Sequence, residues 1–514
     1  MAPRGVVAAG HPATAEAGAW ALREGGNAVD AAVAAVCASL IAESPLTGLG
    51  AGGYMLVSVP GSQRPALLDF FIAAPGIDGV ERAAELVPVE IDFGDTTQVF
   101  NVGAASCGVH GVPSGMWEAA RRFGSMPMEA LVAPAARLAR AGALITPQQA
   151  YLLQILAPIL MAEPDGEAIY APHGRPLRAG ETVRVPELAE TLERLGADGP
   201  APFYEGDLGA AMAATVQEGG GTVGRRDLAA YETIVREPVR ARFAGREILT
   251  NPPPSSGGIL IAFALELLAA LESSDPGTLV AVMEQAQAAR TPGFLAGLYE
   301  EGFAERFLAP AAIAAGAERC RAGHGLLGGP DLQGPLGSTT HITAVDAEGG
   351  CASVTCSNGS GSGVFVPGTG VQLNNMLGED DLNPFGFHAT APGRRMPSMM
   401  SPTIALREGQ LELGLGSGGS NRIRSAITQV LLRALADEMP IAEAVTAPRM
   451  HFEAGIVHAE PGIDAAALDR LAERGYEVVR WRAPNLFFGG VHAVAERGAV
   501  VSGAGDPRRG GAVA

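Results

Sequence analysis

The chain contains no lysine. All 36 of its basic side chains are arginines. That absence removes the P-loop lysine that reaches a nucleotide's phosphates, the lysine of a cofactor Schiff base and the strand lysine of protein kinases. Charge is scarce as well, at 18% of residues against roughly 25% in ordinary soluble domains. What charge there is leans acidic, with a formal net value of −19. A nucleic-acid partner is therefore not expected, because phosphate contacts need a concentrated basic face. Long apolar runs are missing too. The best candidate, AVDAAVAAVCASLIAE from Ala28 to Glu43, is shorter than the ~20 residues a bilayer needs and reads as a buried helix, so no membrane partner is expected. Cysteines are few, odd in number and scattered (Cys37, Cys107, Cys320, Cys351, Cys356). They read as thiols in a reducing compartment rather than a disulfide frame. With no apolar leader and cleavage site at the N-terminus, the expected location is the cytoplasm.

Several active-site signatures are absent in turn. The nine histidines are dispersed, H-E-x-x-H does not occur, and Cys351 and Cys356 lack partners at ligand spacing, so no metal is expected. There is no G-x-S-x-G elbow of the α/β-hydrolase kind. One G-x-G-x-x-G does occur, as GLGAGG from Gly48 to Gly53, with Asp69 downstream. A dinucleotide site needs a strand before those glycines and a helix after them. Here a helix precedes and a strand follows, so no cofactor is expected.

Length alone gives a soft prior of about three domains. The order of elements argues for fewer. Pro12 and Thr14 open a helix, Gly25-Gly26 stops it, and Asn27 caps the next. GGYMLVSVP and PALLDFFIAAP then read as a hairpin across Gly61 to Arg64. From about Val112 to Leu308 the periodicity is mostly helical. From Pro310 to Gly337 the sequence becomes a run of Ala, Gly and Pro that reads as an exposed connection. Strands resume with HITAVD and GCASVTCS around the turn AEGG, and again with a hairpin at Glu408-Gly409, followed by the helix NRIRSAITQVLLRALADE. Strands in separated blocks, with helices between and after, predict one layered α+β fold in which the two blocks share a sheet system.

Between connection and strand stand Ser338, Thr339, Thr340 and His341. A turn centred on Ala347 to Gly350 places Ser357 or Asn358 opposite Thr339 on the neighbouring strand. GLGSGGSNR ends a strand and begins a helix, so Gly418 and Gly419 can offer backbone N–H groups to a developing oxyanion.

In chain order, TTHITAVD, VTCSN, LNN, SPT, GSGGS and APR resemble the γ-glutamyltranspeptidase family of N-terminal nucleophile hydrolases. NAVDAAVAA, GLGAGG and NPPPSSGG (Asn251 to Gly258) agree, so the resemblance spans nearly the whole chain. It implies a four-layer αββα sandwich. It also implies self-cleavage between Ser338 and Thr339, giving a large segment 1–338 and a small segment 339–514 that remain associated as one intertwined domain. Thr339 is then the nucleophile, its freed α-amino group serving as base. Ser357 takes the place of a Thr that hydrogen-bonds the nucleophile, Asn358 that of a substrate-binding Asn, and Gly418 and Gly419 those of the oxyanion glycines. Thr340 and His341 are read as supports.

The departures concern the substrate pocket. Phe71 stands where relatives that take γ-glutamyl groups place an Arg for the α-carboxylate. An adjacent Ser pair appears as Ser398 and Met399, and a Gln that helps hold the α-amino group is Met376. An acid remains as Glu379 or Asp380. A carboxylate entering such a pocket without its cation carries a desolvation cost on the order of several kcal/mol. The segment Leu377 to Arg395 is also shorter than the family's lid, which favours hydrolysis over transfer. The expectation is an amide hydrolase working through acyl-Thr339. The acyl group is either γ-glutamyl or, as in acylase and small-diacid amidohydrolase relatives, less polar. A silent ligand-binding scaffold is the alternative of another class.

Overall fold

A computed structural model describes residues 5–61, 64–92, 97–323, 338–498 and 500–514. Among them, two large antiparallel sheets carry the architecture. The first runs Ala512–Val513, Gly5–Ala9, Thr339–Asp346, Cys351–Ser357, Gly52–Ser58, Ala66–Phe70, Ile234–Arg236. The second runs Val500–Ala504, Gly490–Arg497, Gln410–Gly418, Thr403–Arg407, Arg246–Thr250, Val239–Phe243. Each sheet contains strands from both sides of Ser338. A break at that bond would leave both fragments woven into both sheets.

Side-chain alternation decides what covers each face. In the first sheet Val7, Ala9, Met55, Val57, Ile342 and Ala344 belong to the core beneath the N-terminal helices. Their neighbours Ala8, Tyr54, Leu56 and Val345 belong to the core shared with the second sheet. The helices Pro12–Arg23 and Ala28–Ala42 pack against the first sheet, and Ser256–Leu271 and Arg422–Leu431 against the second. Asn27 caps the second helix as expected: its side chain accepts from Val29 N (2.9 Å) and Asp30 N (3.1 Å), while Asp30 accepts from Asn27 N (2.9 Å). That helix is buried along its whole length, and its many alanines let it lie close to the strands.

The interior between the sheets turns polar beneath the strand Thr339–Asp346. His341 Nδ1 lies 2.8 Å from Thr355 Oγ1 and its Nε2 2.9 Å from Thr343 Oγ1. Thr343 donates across to His492 O (3.1 Å), and Ser353 to Leu415 O (3.0 Å). These bonds clamp one sheet to the other, and burial holds the His341 imidazole neutral by driving its pKa well down, with His492 adding to the effect. The glycines of the facing strand follow from this approach. A Cβ on Gly416 would sit 2.3 Å from the His341 ring.

Two sequence expectations change. The stretch read as helical also contains Ile234–Arg236, Val239–Phe243 and Arg246–Thr250, which extend both sheets. Residues Pro310–Ala322, read as part of an exposed connection, form a helix whose Ile313, Ala317 and Cys320 are buried. The rest of that connection, 324–337, lies outside the described residues. Among the described residues no helix is long and apolar enough to cross a membrane.

Candidate active site

Thr339 opens a central strand and pairs with Ser357, the first of the two alternatives the hairpin arithmetic allowed. Both side chains are buried. Thr339 Oγ1 donates to Ser357 Oγ (3.3 Å), and Ser357 Oγ donates in turn to the carbonyl of Ser338 (2.5 Å), while Gly359 N donates to the same hydroxyl (3.0 Å). One serine thus touches both the hydroxyl of residue 339 and the carbonyl immediately before it. Thr340, facing the helices, donates to Glu43, which also accepts from Thr14 Oγ1 (2.7 Å). Burial pushes the Glu43 carboxyl up to about 7, against the pull of those two hydroxyls and of the Arg509 charge. Arg509, from the turn Pro507–Arg509, donates to Thr339 O (3.3 Å). That turn is anchored by Asp506, in a buried ion pair with Arg449 of the Ala-Pro-Arg motif (2.7 Å).

The facing strand delivers the glycine pair. A Cβ on Gly418 would lie 2.3 Å from Thr339 O, so only glycine permits this approach. Gly419 follows at φ +125°, a conformation side chains rarely adopt. Ser420 then donates to Asp381 Oδ2 (2.7 Å) before the helix Arg422–Leu431 begins.

Beside Thr339 lies a cavity of about 40 Å³. Thr339, Ser357, Phe71, Met376, Glu379 and Ser398, all singled out from the sequence, line it together with Gly359, Asp381, Leu382, Met399, Met400, Ser420 and Ile423. None of these is basic. Phe71 is fully buried and stacks on Tyr54 with ring centroids 5.4 Å apart. Its carbonyl accepts from Arg395 Nη1 (2.8 Å) and Tyr231 OH (2.7 Å). Arg395 itself is paired with Asp69 (3.2 Å) and lies over the Tyr231 ring, outside the cavity. Glu379 and Asp381 are both buried, and both pKa values are raised. Burial is the larger cause for each; the charge of Asp381 adds to it at Glu379, and that of Glu453 at Asp381.

Four expected site residues stand elsewhere. Asp380 is exposed and outside the lining; Asp381 is the acid that faces inward beside Glu379, because short 3₁₀ turns at Met376–Gly378 and Asp380–Leu382 set the direction of each side chain. Asn358 is one position beyond Ser357 and turns to the other side, where its amide reaches Gln372 O at 3.5 Å. Gly418 lies against Thr339 O and Gly419 beside Gly489 and Arg509, and neither lines the cavity. The sequence reading missed Asp381, Glu43, Arg509 and Met400. The adjacent acids of GEDD signalled the first without fixing which one points in.

Two motifs acquire structural roles. NPPPSSGG holds the wall of the cavity: Ser256 N and Ser255 Oγ donate to Ser398 O (2.9 and 2.8 Å), and Asn251 donates to Met400 O (2.8 Å). GLGAGG brings chains close without side chains. A Cβ on Gly50 would lie 2.3 Å from Gln372 O and one on Gly53 2.3 Å from Thr355 O, and the motif's last two glycines already belong to the strand Gly52–Ser58.

A hydroxyl residue at the head of a central strand, with its partner hydroxyl on the preceding carbonyl and a glycine turn against it, defines an enzyme of the N-terminal nucleophile hydrolase class. Comparison with known proteins narrows this. A family model described as gamma-glutamyltranspeptidase matches residues 14–514. The chain is 33% identical over 517 residues to the "Acylase ACY 1 proenzyme" of Pseudomonas sp. (strain V22), covering 96% of this chain and 90% of that protein. It is 32% identical over 484 residues to the "Glutathione hydrolase proenzyme" of Pseudomonas aeruginosa, covering 87% and 83%. The crystal structure of cephalosporin acylase from Bacillus halodurans has the same fold, with a TM-score of 0.84 at 24% identity over 100% of this chain and 96% of that one. The chain belongs to the γ-glutamyltranspeptidase family.

Proposed function

We propose that this chain is a self-cleaving amide hydrolase of the acylase kind, with Thr339 as nucleophile and an acyl group that is not γ-glutamyl. The observation that carries the reading is the Ser357 hydroxyl, 3.3 Å from Thr339 Oγ1 and 2.5 Å from the Ser338 carbonyl oxygen. In the precursor, Thr339 Oγ1 attacks the Ser338 carbonyl carbon while Ser357 polarises its oxygen. The C–N bond to Thr339 breaks, the nitrogen takes the proton, and an ester joins Ser338 to the Thr339 oxygen. Water hydrolyses that ester, freeing a carboxylate on Ser338 and an α-amino group on Thr339. This amine, with a pKa of about 7.7 to 8.0, is partly unprotonated at neutral pH and can take the proton of its own hydroxyl.

Turnover follows the same path on a substrate amide. Thr339 Oγ1 adds to the carbonyl, and the N–H groups of Gly418 and Gly419 stabilise the oxyanion, a contribution of about 3 to 4 kcal/mol per donor in other enzymes. The leaving amine departs with the proton, and water cleaves acyl-Thr339 to the free acid. The fold is then the four-layer αββα sandwich, and the products 1–338 and 339–514 stay together. The word "proenzyme" in the names of relatives supports such processing.

The substrate reading rests on the lining. A γ-glutamyl group would meet Glu379 and Asp381 near its α-ammonium but no cation for its α-carboxylate. Phe71, Met376, Met399 and Met400 suit an apolar or neutral acyl group instead, and the acylase relatives support this choice. Acyl-p-nitroanilides carrying γ-glutamyl, aliphatic and dicarboxylic acyl groups test it. The expected result is turnover of an uncharged or distally charged acyl group at least about tenfold above γ-glutamyl, with Thr339→Ala remaining one inactive chain. A preference for γ-glutamyl would reverse the assignment. An intact wild-type chain without amidase activity would leave a binding scaffold.

A further inference from the structure

A second cavity, of about 320 Å³, adjoins the catalytic one. The two share a wall in the chain itself: Leu382 and Ser398 line the inner cavity, and Pro384 and Pro397 the outer. Its remaining surface combines apolar side chains with Thr390, one acid, Glu300, and one cation, Arg394. Arg394 lies over the Tyr299 ring, its guanidinium carbon 4.1 Å from the centroid, and among the described residues no carboxylate lies within ion-pair distance of it. Phe385 is 56% exposed on the same rim. Glu300, which lines the same chamber, is already held by Arg306 at 2.8 Å. An arginine kept flat on an aromatic face retains its in-plane N–H donors, so a carboxylate could bind it without first disturbing an existing ion pair.

We propose that this outer chamber is a carboxylate-recognising subsite, in which Arg394 binds a substrate carboxylate and Tyr299 and Phe385 flank the apolar part that carries it. The inference deepens the amide-hydrolase reading and rests on it. The inner cavity buries two carboxyls and has no basic side chain to pair an anion, so an anionic end of the substrate is excluded there, whereas the adjoining chamber offers Arg394, and the one acid in its lining, Glu300, is paired with Arg306. The class of substrate is an amide whose reacting acyl carbon is in neutral surroundings and whose carboxylate lies further out, either at the far end of a dicarboxylic acyl group or on the leaving amine.

The test compares wild type with Arg394→Ala on two matched pairs. Monoanilides of dicarboxylic acids are set against anilides of monocarboxylic acids of equal length, and acyl amides of p-aminobenzoate against those of p-toluidine. In one pair, the kcat/KM ratio of carboxylate to neutral substrate is expected to fall at least about tenfold in the variant, with Arg394→Lys intermediate. The pair that responds identifies which end carries the charge. Equal losses on charged and neutral substrates, or unchanged ratios in both pairs, would overturn the subsite. Calorimetric titration with phenylacetate separates this inference from the catalytic one. Binding lost in Arg394→Ala supports the subsite even if no amide is turned over, and an active enzyme whose phenylacetate affinity is the same in both proteins contradicts it.

Discussion

At the scale of single residues, Ser357 makes more contacts at the candidate site than its position at the end of a strand suggests. Its hydroxyl accepts from Thr339 Oγ1 and Gly359 N and donates to Ser338 O. In the proposed self-cleavage, Ser357→Ala removes the donor to the carbonyl under attack, and loss of one such donor costs about 10²-fold or more in comparable sites. Precursor cleavage followed on denaturing gels should slow by that order, and Ser357→Thr should retain most of the rate. An unchanged cleavage rate in the alanine variant would show that Ser357 is only a neighbour. The pairing of Thr339 was legible to within one residue, Ser357 or Asn358, because antiparallel pairing is arithmetic once the turn is placed, whereas the part assigned to Thr339 came from the family resemblance. The choice between Asp380 and Asp381 was not, since two short 3₁₀ turns carry no long-range period. Asn358 lies outside the cavity lining for a simpler reason. One step along an extended chain reverses the side chain.

At the scale of elements, the glycines of Gln410–Gly418 are explained by the strand across from them. Gly416 faces His341, whose ring is fixed by Thr355 and Thr343 and cannot swing aside. Gly416→Ala therefore forces the sheets apart locally, with an expected loss of about 1 to 3 kcal/mol in urea unfolding. Stability equal to the parent would mean that the inter-sheet clamp is looser than described. The same strand shows how much sequence can say. Its hairpin with Thr403–Arg407 and the helix after it were visible in the alternation and in the Gly-Ser turn. Val239–Phe243 was hidden by its setting among helices, although VRARF alternates apolar and charged residues as a half-exposed strand should. Nothing in NPPPSSGG announced that its serines would hold the carbonyl of Ser398, because that contact joins segments more than a hundred residues apart.

At the scale of the whole molecule, buried acids tie stability to pH. Glu43 is raised from 4.5 to about 7, chiefly by burial. Between those values the folded protein keeps a proton that the unfolded chain has lost, so this group's contribution falls as pH rises through the window. The amount is up to about 3 kcal/mol. In Glu43→Gln the decline in urea stability from pH 5 to pH 7.5 should be shallower than in the parent by that order. Parallel curves would place the Glu43 titration elsewhere. That the strand-rich blocks at the two ends of the chain share a sheet system was legible in outline, because such blocks must pair to bury their faces. Which strands share a sheet depends on contacts across hundreds of residues, and local propensity does not encode that.

The interleaving of segments before and after Ser338 in both sheets leads to the most direct measurement. Purified protein is passed over a sizing column under native conditions, and the single peak is analysed by denaturing mass spectrometry with N-terminal sequencing. The account predicts two co-eluting fragments, the smaller spanning 339–514 and beginning Thr-Thr-His-Ile. A chain that stays whole, or one severed at another bond, would contradict it.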